Sequence, residues 1–80
     1  MDKFCERLKA SRKSRNASQK QAAAVMGVSD TQFQNYEYGI HLPTVDKLEK
    51  FCRHYNVSSD YLLGLTDEPR PLQGEKSDSP

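Results

Sequence analysis

Residues 19–37 read QKQAAAVMGVSDTQFQNYE, and this stretch decides the fold. Gly27 divides it into two short helical segments, 19–26 and 30–36. Ser18 and Ser29 stand where each helix begins, and each is followed three residues later by a glutamine, Gln21 and Gln32. In that S-x-x-Q arrangement the serine oxygen accepts from a free amide of the first turn, and the glutamine returns a bond to the serine amide. Ala23 offers a small side chain where two helices cross closely, and Gly27 permits the positive φ of a tight inter-helix turn. Ala22, Met26, Val28, Phe33 and Tyr36 supply the apolar contacts that lock the two helices together.

Three more helices surround this pair. The first runs from residue 2 or 3 to 15, with Phe4 and Leu8 one turn apart on a buried face that Ser11 and Arg12 continue. Asn16 is suited to a left-handed C-cap. Gly39 and Pro43 bracket a loop over 38–43, after which Thr44 caps a fourth helix. Val45, Leu48, Phe51, Cys52 and Tyr55 recur along it at helical spacing. Asn56 closes that helix, Ser58 caps a short fifth one, and Gly64 ends it, with Tyr61, Leu62 and Leu65 turned inward. From Thr66 the chain reads TDEPRPLQGEKSDSP, rich in proline and charge, with Leu72 its one large apolar residue. That composition predicts a flexible tail. The expected organisation is a folded unit over 1–65 and a tail over 66–80, with no internal repeat and no strand alternation.

Composition narrows the function classes. Eighty residues make one small domain with a modest core. With 35% apolar residues and no tryptophan, nearly every large apolar side chain must lie inside. No apolar run approaches the ~20 residues of a membrane span, and MDKFCERLKA lacks the apolar centre of a secretory signal. Cytoplasmic residence is therefore expected. Cys5 and Cys52 match no metal spacing and read as reduced, packed thiols. His41 and His54 have no cysteine or carboxylate at ligand spacing, and no serine sits in a nucleophile motif. Neither an enzyme nor a metal, cofactor or small-molecule site is expected.

The net charge is only +1, but its distribution is uneven. Residues 1–20 hold seven bases (Lys3, Arg7, Lys9, Arg12, Lys13, Arg15 and Lys20) against two acids, whereas 21–80 hold five bases against nine acids. Such asymmetry is compatible with a phosphate-facing side on a near-neutral protein. A solvated helix face explains the same cluster as well. A short helix held rigidly at the front of a compact unit also has the dimensions of the DNA major groove.

The order S-Q at the second helix, G-V-S at the turn, Y-E-Y-G after the third helix, P-T before the fourth and V-S-S-D-Y-L-L-G at the end resembles the Cro/phage-repressor-like (XRE-type) helix-turn-helix family across residues 4–65. The resemblance implies an all-α, compact five-helix bundle of the lambda-repressor-like type. It also implies a transcriptional regulator that binds double-stranded operator DNA as a homodimer. By residue, it assigns Asp30, Thr31, Gln34 and Asn35 to base reading on the outward face of the third helix. The independent placement of Phe33 and Tyr36 inward agrees with that face. Gln19 matches the residue whose amide and side chain meet a phosphate, with Lys20 beside it. Ser29 and Gln32 are able to cap the helix or touch the backbone. Tyr38, Ile40 and His41 match the loop along the sugar-phosphate chain. Arg12 and Glu37 match a partly buried salt bridge between the first and third helices.

This chain departs from the family pattern in three places. The third helix carries no lysine or arginine and begins with Asp30, so arginine–guanine contact is absent from its repertoire. Ile40 and His41 replace the loop's frequent bases, and Ala17 stands where a larger apolar residue is common. These departures keep a rival in play, a helix-turn-helix fold that docks a protein partner through its fifth helix. A homodimer would be weak, its surface formed by Tyr61, Leu62, Leu63, Leu65 and the start of the tail.

Overall fold

The computed structural model describes residues 2–71. Five helices follow one another: α1 (Asp2–Ser14), α2 (Gln19–Met26), α3 (Asp30–Tyr38), α4 (Val45–Tyr55) and α5 (Ser59–Leu63). Among the described residues there is no strand, and no helix is long and apolar enough to cross a membrane. The architecture is the all-α bundle expected.

Each helix starts and stops for a local reason. The Gln21 N–H donates to Ser18 Oγ at 3.0 Å, and the Ser18 N–H donates to Gln21 Oε1 at 2.8 Å, so the capping box of α2 is complete. Gly27 ends α2 in the left-handed region at φ +74°. A Cβ there would meet nothing closer than Lys47 Nζ at 3.8 Å, so backbone conformation rather than space selects glycine. The Val28 N–H then donates to the Ala23 carbonyl at 3.0 Å and aims the chain into α3. Asn16 and Asn56, at φ +58° and +55°, turn the chain in the same region after α1 and α4.

The second S-x-x-Q box is only half formed. Ser29 Oγ accepts from the Gln32 N–H at 3.1 Å, but the Gln32 side chain makes no return bond. Thr44 likewise occupies the N-cap position of α4 without bonding its amides; its hydroxyl donates to Asp46 Oδ1 at 2.7 Å. That bond holds the Asp46 carboxyl below the usual carboxylate range.

The core gathers Phe4 and Leu8 of α1, Ala22, Ala23 and Met26 of α2, Phe33 and Tyr36 of α3, Phe51 and Tyr55 of α4, and Val57 and Leu62. Phe33 is the hub. Its ring meets Tyr36 edge-on with centroids 6.3 Å apart and stacks against Phe51 at 6.4 Å. Phe51 in turn tilts onto Tyr55 at 4.7 Å. Aromatic pairs of this geometry contribute about 0.5–1.5 kcal/mol each beyond their burial. They also fix the rotation of α3, because Phe33 and Tyr36 set which of its faces points inward.

Two expectations fail at the C-terminal end. Leu65 is 73% exposed, because the Gly64 cap at φ +84° swings the chain out of the core before it. Residues 66–71 also do not trail freely. Arg7 Nη1 donates to the carbonyls of Tyr61 (2.7 Å) and Thr66 (2.8 Å), and Nη2 meets Asp67 Oδ1 at 2.8 Å. The Ser58 N–H donates to the Pro69 carbonyl at 2.7 Å, which straps the segment across α5. Leu72 and the rest of the expected tail lie outside the described residues.

Candidate nucleic-acid interface

The outer face of α3 follows from its inner one. With Phe33, Tyr36 and Glu37 buried, Asp30 and Thr31 stand exposed in the first turn, and Gln34 and Asn35 are half-buried along the flank. None of these four side chains is needed to complete the core. They present a carboxylate, a hydroxyl with a methyl, and two carboxamides.

Behind that face Arg12 and Glu37 are joined. Arg12 Nε donates to Glu37 Oε2 at 2.7 Å and Nη2 to Oε1 at 3.3 Å, with side chains 9% and 1% exposed. Arg12 Nη1 also donates to the Ala17 carbonyl at 2.9 Å, so the guanidinium ties α1, the α1–α2 loop and α3. Gln19 enters the same cluster by donating from Nε2 to Glu37 Oε1 at 3.0 Å. One N–H of its side-chain amide is thereby turned to Glu37, while the side chain stays half-buried. Its backbone amide, in the first turn of α2, is unaffected by this bond.

The N-terminal cation cluster is reduced by the same kind of commitment. Arg7 holds the C-terminal strap, with its guanidinium 4.1 Å from the centre of the Tyr61 ring. Arg12 is buried, and Arg15 Nε donates to the Tyr55 carbonyl at 3.0 Å. Lys3, Lys9, Lys13 and Lys20 remain as exposed cations. Arg7 and Arg12 staple the fold, whereas Arg15 bonds a carbonyl through Nε while staying exposed with the four lysines. Charge pattern carries no information on distant carbonyl partners, so the commitments of Arg7 and Arg15 are not legible in the sequence.

Tyr38 belongs to the last turn of α3 rather than to the loop, and is 67% exposed. Gly39 at φ +81° reverses the chain, and the N–H groups of Ile40 and His41 both donate to the Asn35 carbonyl, at 2.9 and 3.3 Å. A Cβ on Gly39 would stand 3.2 Å from Cys5 Sγ, so α1 also crowds this turn. The turn brings the exposed His41 ring back over α3, with Nδ1 3.2 Å from Gln32 Oε1 and 3.5 Å from Asn35 Nδ2. Ser29 is spent on its cap.

A buried aromatic hub behind a short, polar, outward helix, preceded by a glycine turn and a second capped helix, defines a helix-turn-helix module. The helix-turn-helix family HTH_3 matches residues 8–62, and the chain belongs to that family. It is 40% identical over 74 residues to the uncharacterised HTH-type transcriptional regulator YobD of Bacillus subtilis, covering 92% of this chain and 66% of that one. It is 41% identical over 59 residues to the HTH-type transcriptional regulator ImmR of Bacillus subtilis, covering 74% and 46%. It is 40% identical over 72 residues to the cryptic phage CTXphi transcriptional repressor RstR of Vibrio cholerae, covering 88% and 64%. The chain thus spans from about half to just under two thirds of the lengths of these relatives. No solved structure matches it significantly.

Proposed function

We propose that this chain is a sequence-specific double-stranded DNA-binding regulator of transcription that works as a repressor, with α3 in the major groove. The observation that carries the reading is the division of α3 into a pinned inner row, Phe33, Tyr36 and Glu37, and an outer row, Asp30, Thr31, Gln34 and Asn35, with no core duty. Asn35 and Gln34 have the donor–acceptor pair that matches adenine N6 and N7, Asp30 accepts from cytosine N4, and Thr31 offers a methyl to thymine. The α2 N-terminus around Gln19, together with Lys20, Tyr38 and the loop at Ile40, faces the phosphates in this reading. Relatives named as a repressor and as regulators support the transcriptional role. Residues 1–65 form the binding unit, and the site of action is the cytoplasm.

One recognition helix contacts few base pairs, so operator-level affinity calls for two chains on half-sites ~34–36 Å apart. The surface available for that pairing is narrower than Tyr61, Leu62, Leu63 and Leu65. Leu62 is fully buried and Tyr61 lies under Arg7, which leaves Leu63, 43% exposed, and Leu65. A weak homodimer completed on DNA fits so small an apolar area. The rival reading, a protein-docking module that uses α5, draws on the same exposed Leu63 and Leu65; Ile40 and Leu42 in the α3–α4 connection and Val45 at the start of α4 are further exposed apolar side chains.

Fluorescence anisotropy with duplexes selected from a genomic fragment library, over a salt series, decides between them. Asn35→Ala is expected to weaken binding to selected duplexes by about 1–3 kcal/mol and to leave random DNA nearly unaffected. Equal loss on both would assign Asn35 to the DNA backbone. Failure of the chain to bind any duplex at low salt would support the docking module.

A further inference from the structure

The two S-x-x-Q boxes share a pattern and end differently. Gln21 closes the α2 box by accepting from the Ser18 N–H at 2.8 Å, whereas Gln32 makes no such bond to Ser29 and instead meets His41 Nδ1 at 3.2 Å. The backbone brings the exposed His41 ring to that place. Gly39 reverses the chain in the left-handed region, and the N–H groups of Ile40 and His41 are anchored on the same Asn35 carbonyl. The backbone of His41 is thus tied to Asn35, and its ring stands beside the Asn35 amide, with Nδ2 3.5 Å from Nδ1. A neutral imidazole nitrogen either donates or accepts, and Nδ1 serves one of these two carboxamides at a time. The shorter contact is to the Gln32 oxygen, which requires Nδ1 to donate and leaves both polar ends of the Asn35 amide available.

We infer that His41 is a positioning residue for sequence reading: it draws Gln32 out of the helix cap and holds it beside Asn35, so that two carboxamides meet the groove as a preset pair. This inference rests on the DNA-binding reading above and changes the role of His41 within it, from a phosphate contact to a specificity determinant acting through Gln32 and Asn35. Two ordered amides at the groove replace the arginine that α3 lacks. Side chains fixed before contact lose less freedom on binding, which sharpens discrimination between right and wrong bases.

Three substitutions separate the two roles. His41→Asn keeps an N–H donor near the Nδ1 position without any cation, His41→Lys supplies a cation without that geometry, and His41→Ala removes both. Binding is measured on duplexes selected by the wild-type chain from a randomised library, and on single-base variants of them. His41→Ala is expected to lower the ratio of selected to variant affinity about tenfold, with the slope of log affinity against log salt unchanged. His41→Asn is expected to restore the ratio, and His41→Lys is not. A uniform loss on all duplexes, a shallower salt slope and rescue by lysine would overturn the inference while leaving DNA binding intact. If the wild-type chain selects no sequence, the DNA-binding reading falls and this inference with it. A readout without DNA stands beside these: in His41→Ala the side-chain amide resonances of Gln32 and Asn35 shift. The Ser29 N–H also gains protection as Gln32 returns to the cap. Unmoved Gln32 and Asn35 amides would overturn the hold whatever the DNA data show.

Discussion

Removing the Glu37 carboxylate should be among the most damaging single changes outside the apolar core. Its side chain is 1% exposed and accepts three bonds, from Arg12 Nε at 2.7 Å, Arg12 Nη2 at 3.3 Å and Gln19 Nε2 at 3.0 Å. In Glu37→Ala the guanidinium stays buried with one partner left, the Ala17 carbonyl. Breaking one side of a buried pair costs about 3–5 kcal/mol, most of it the uncompensated charge. An 80-residue chain has a total stability of about 4–12 kcal/mol at typical values per residue. The variant should therefore melt at least ~12 °C lower, since each kcal/mol moves the midpoint of so small a domain by about 4–8 °C. Glu37→Gln keeps the volume and one acceptor and should lose about 2 kcal/mol, which keeps it folded enough to measure. Urea unfolding of Arg12→Ala, Glu37→Gln and the double variant then closes a cycle. The pair is expected to couple by more than ~1 kcal/mol, the double variant losing less than the two singles together. Gln19→Ala serves as a control and should cost under about 1 kcal/mol, because Glu37 Oε1 keeps its bond from Arg12 Nη2 when this neutral donor is removed. Additivity of Arg12 and Glu37 within about 0.5 kcal/mol would refute the reasoning.

Arg7→Ala should destabilise by about 2 kcal/mol and release residues 66–71, because it removes two charge-assisted bonds to carbonyls and the contact with Tyr61. Asp67→Asn should scarcely move the melting point. The Asp67 carboxyl is held below its ordinary range by the Arg7 hydrogen bond, so its small contribution is present at neutral pH and lost only as pH falls through that lowered value. Limited proteolysis of the strap distinguishes the two variants. Burial pushes the Cys52 thiol up from 9.0 to about 11, so iodoacetamide should alkylate it about tenfold or more slowly than free cysteine at neutral pH. The sign for stability follows: the folded state favours the neutral thiol, and the benefit is complete below pH 9.0 and lost towards about 11. Alkylation as fast as that of free cysteine would contradict the burial. Leu63→Glu with Leu65→Glu should abolish concentration-dependent sedimentation and weaken binding to paired half-sites more than to a single one. An unchanged dimer would move the interface elsewhere.

The sequence by itself determined everything that depends on neighbours three or four residues away. The serine caps, the left-handed turns at Asn16, Gly27 and Gly64, and the inward placement of Phe33 and Tyr36 are local, and each was legible because helical period and capping chemistry are local rules. The outward face of α3 followed as the complement of its apolar side. The Arg12–Glu37 pairing was legible only through family resemblance, since no local rule joins residues 25 apart. What only the tertiary structure decided is how each polar side chain spends its bonds. Gln21 and Gln32 sit in the same motif, yet one closes its cap and the other turns to His41, because a glycine reversal seven residues downstream delivers an imidazole there. Gln19 turns in to a buried carboxylate, Arg7 and Arg15 turn to carbonyls of distant segments, and residues 66–71 lie strapped across α5. A long polar side chain has many rotamers of nearly equal energy. Its choice among them is made by whichever partner the fold brings within about 3 Å, and that partner is set by the packing of the whole chain.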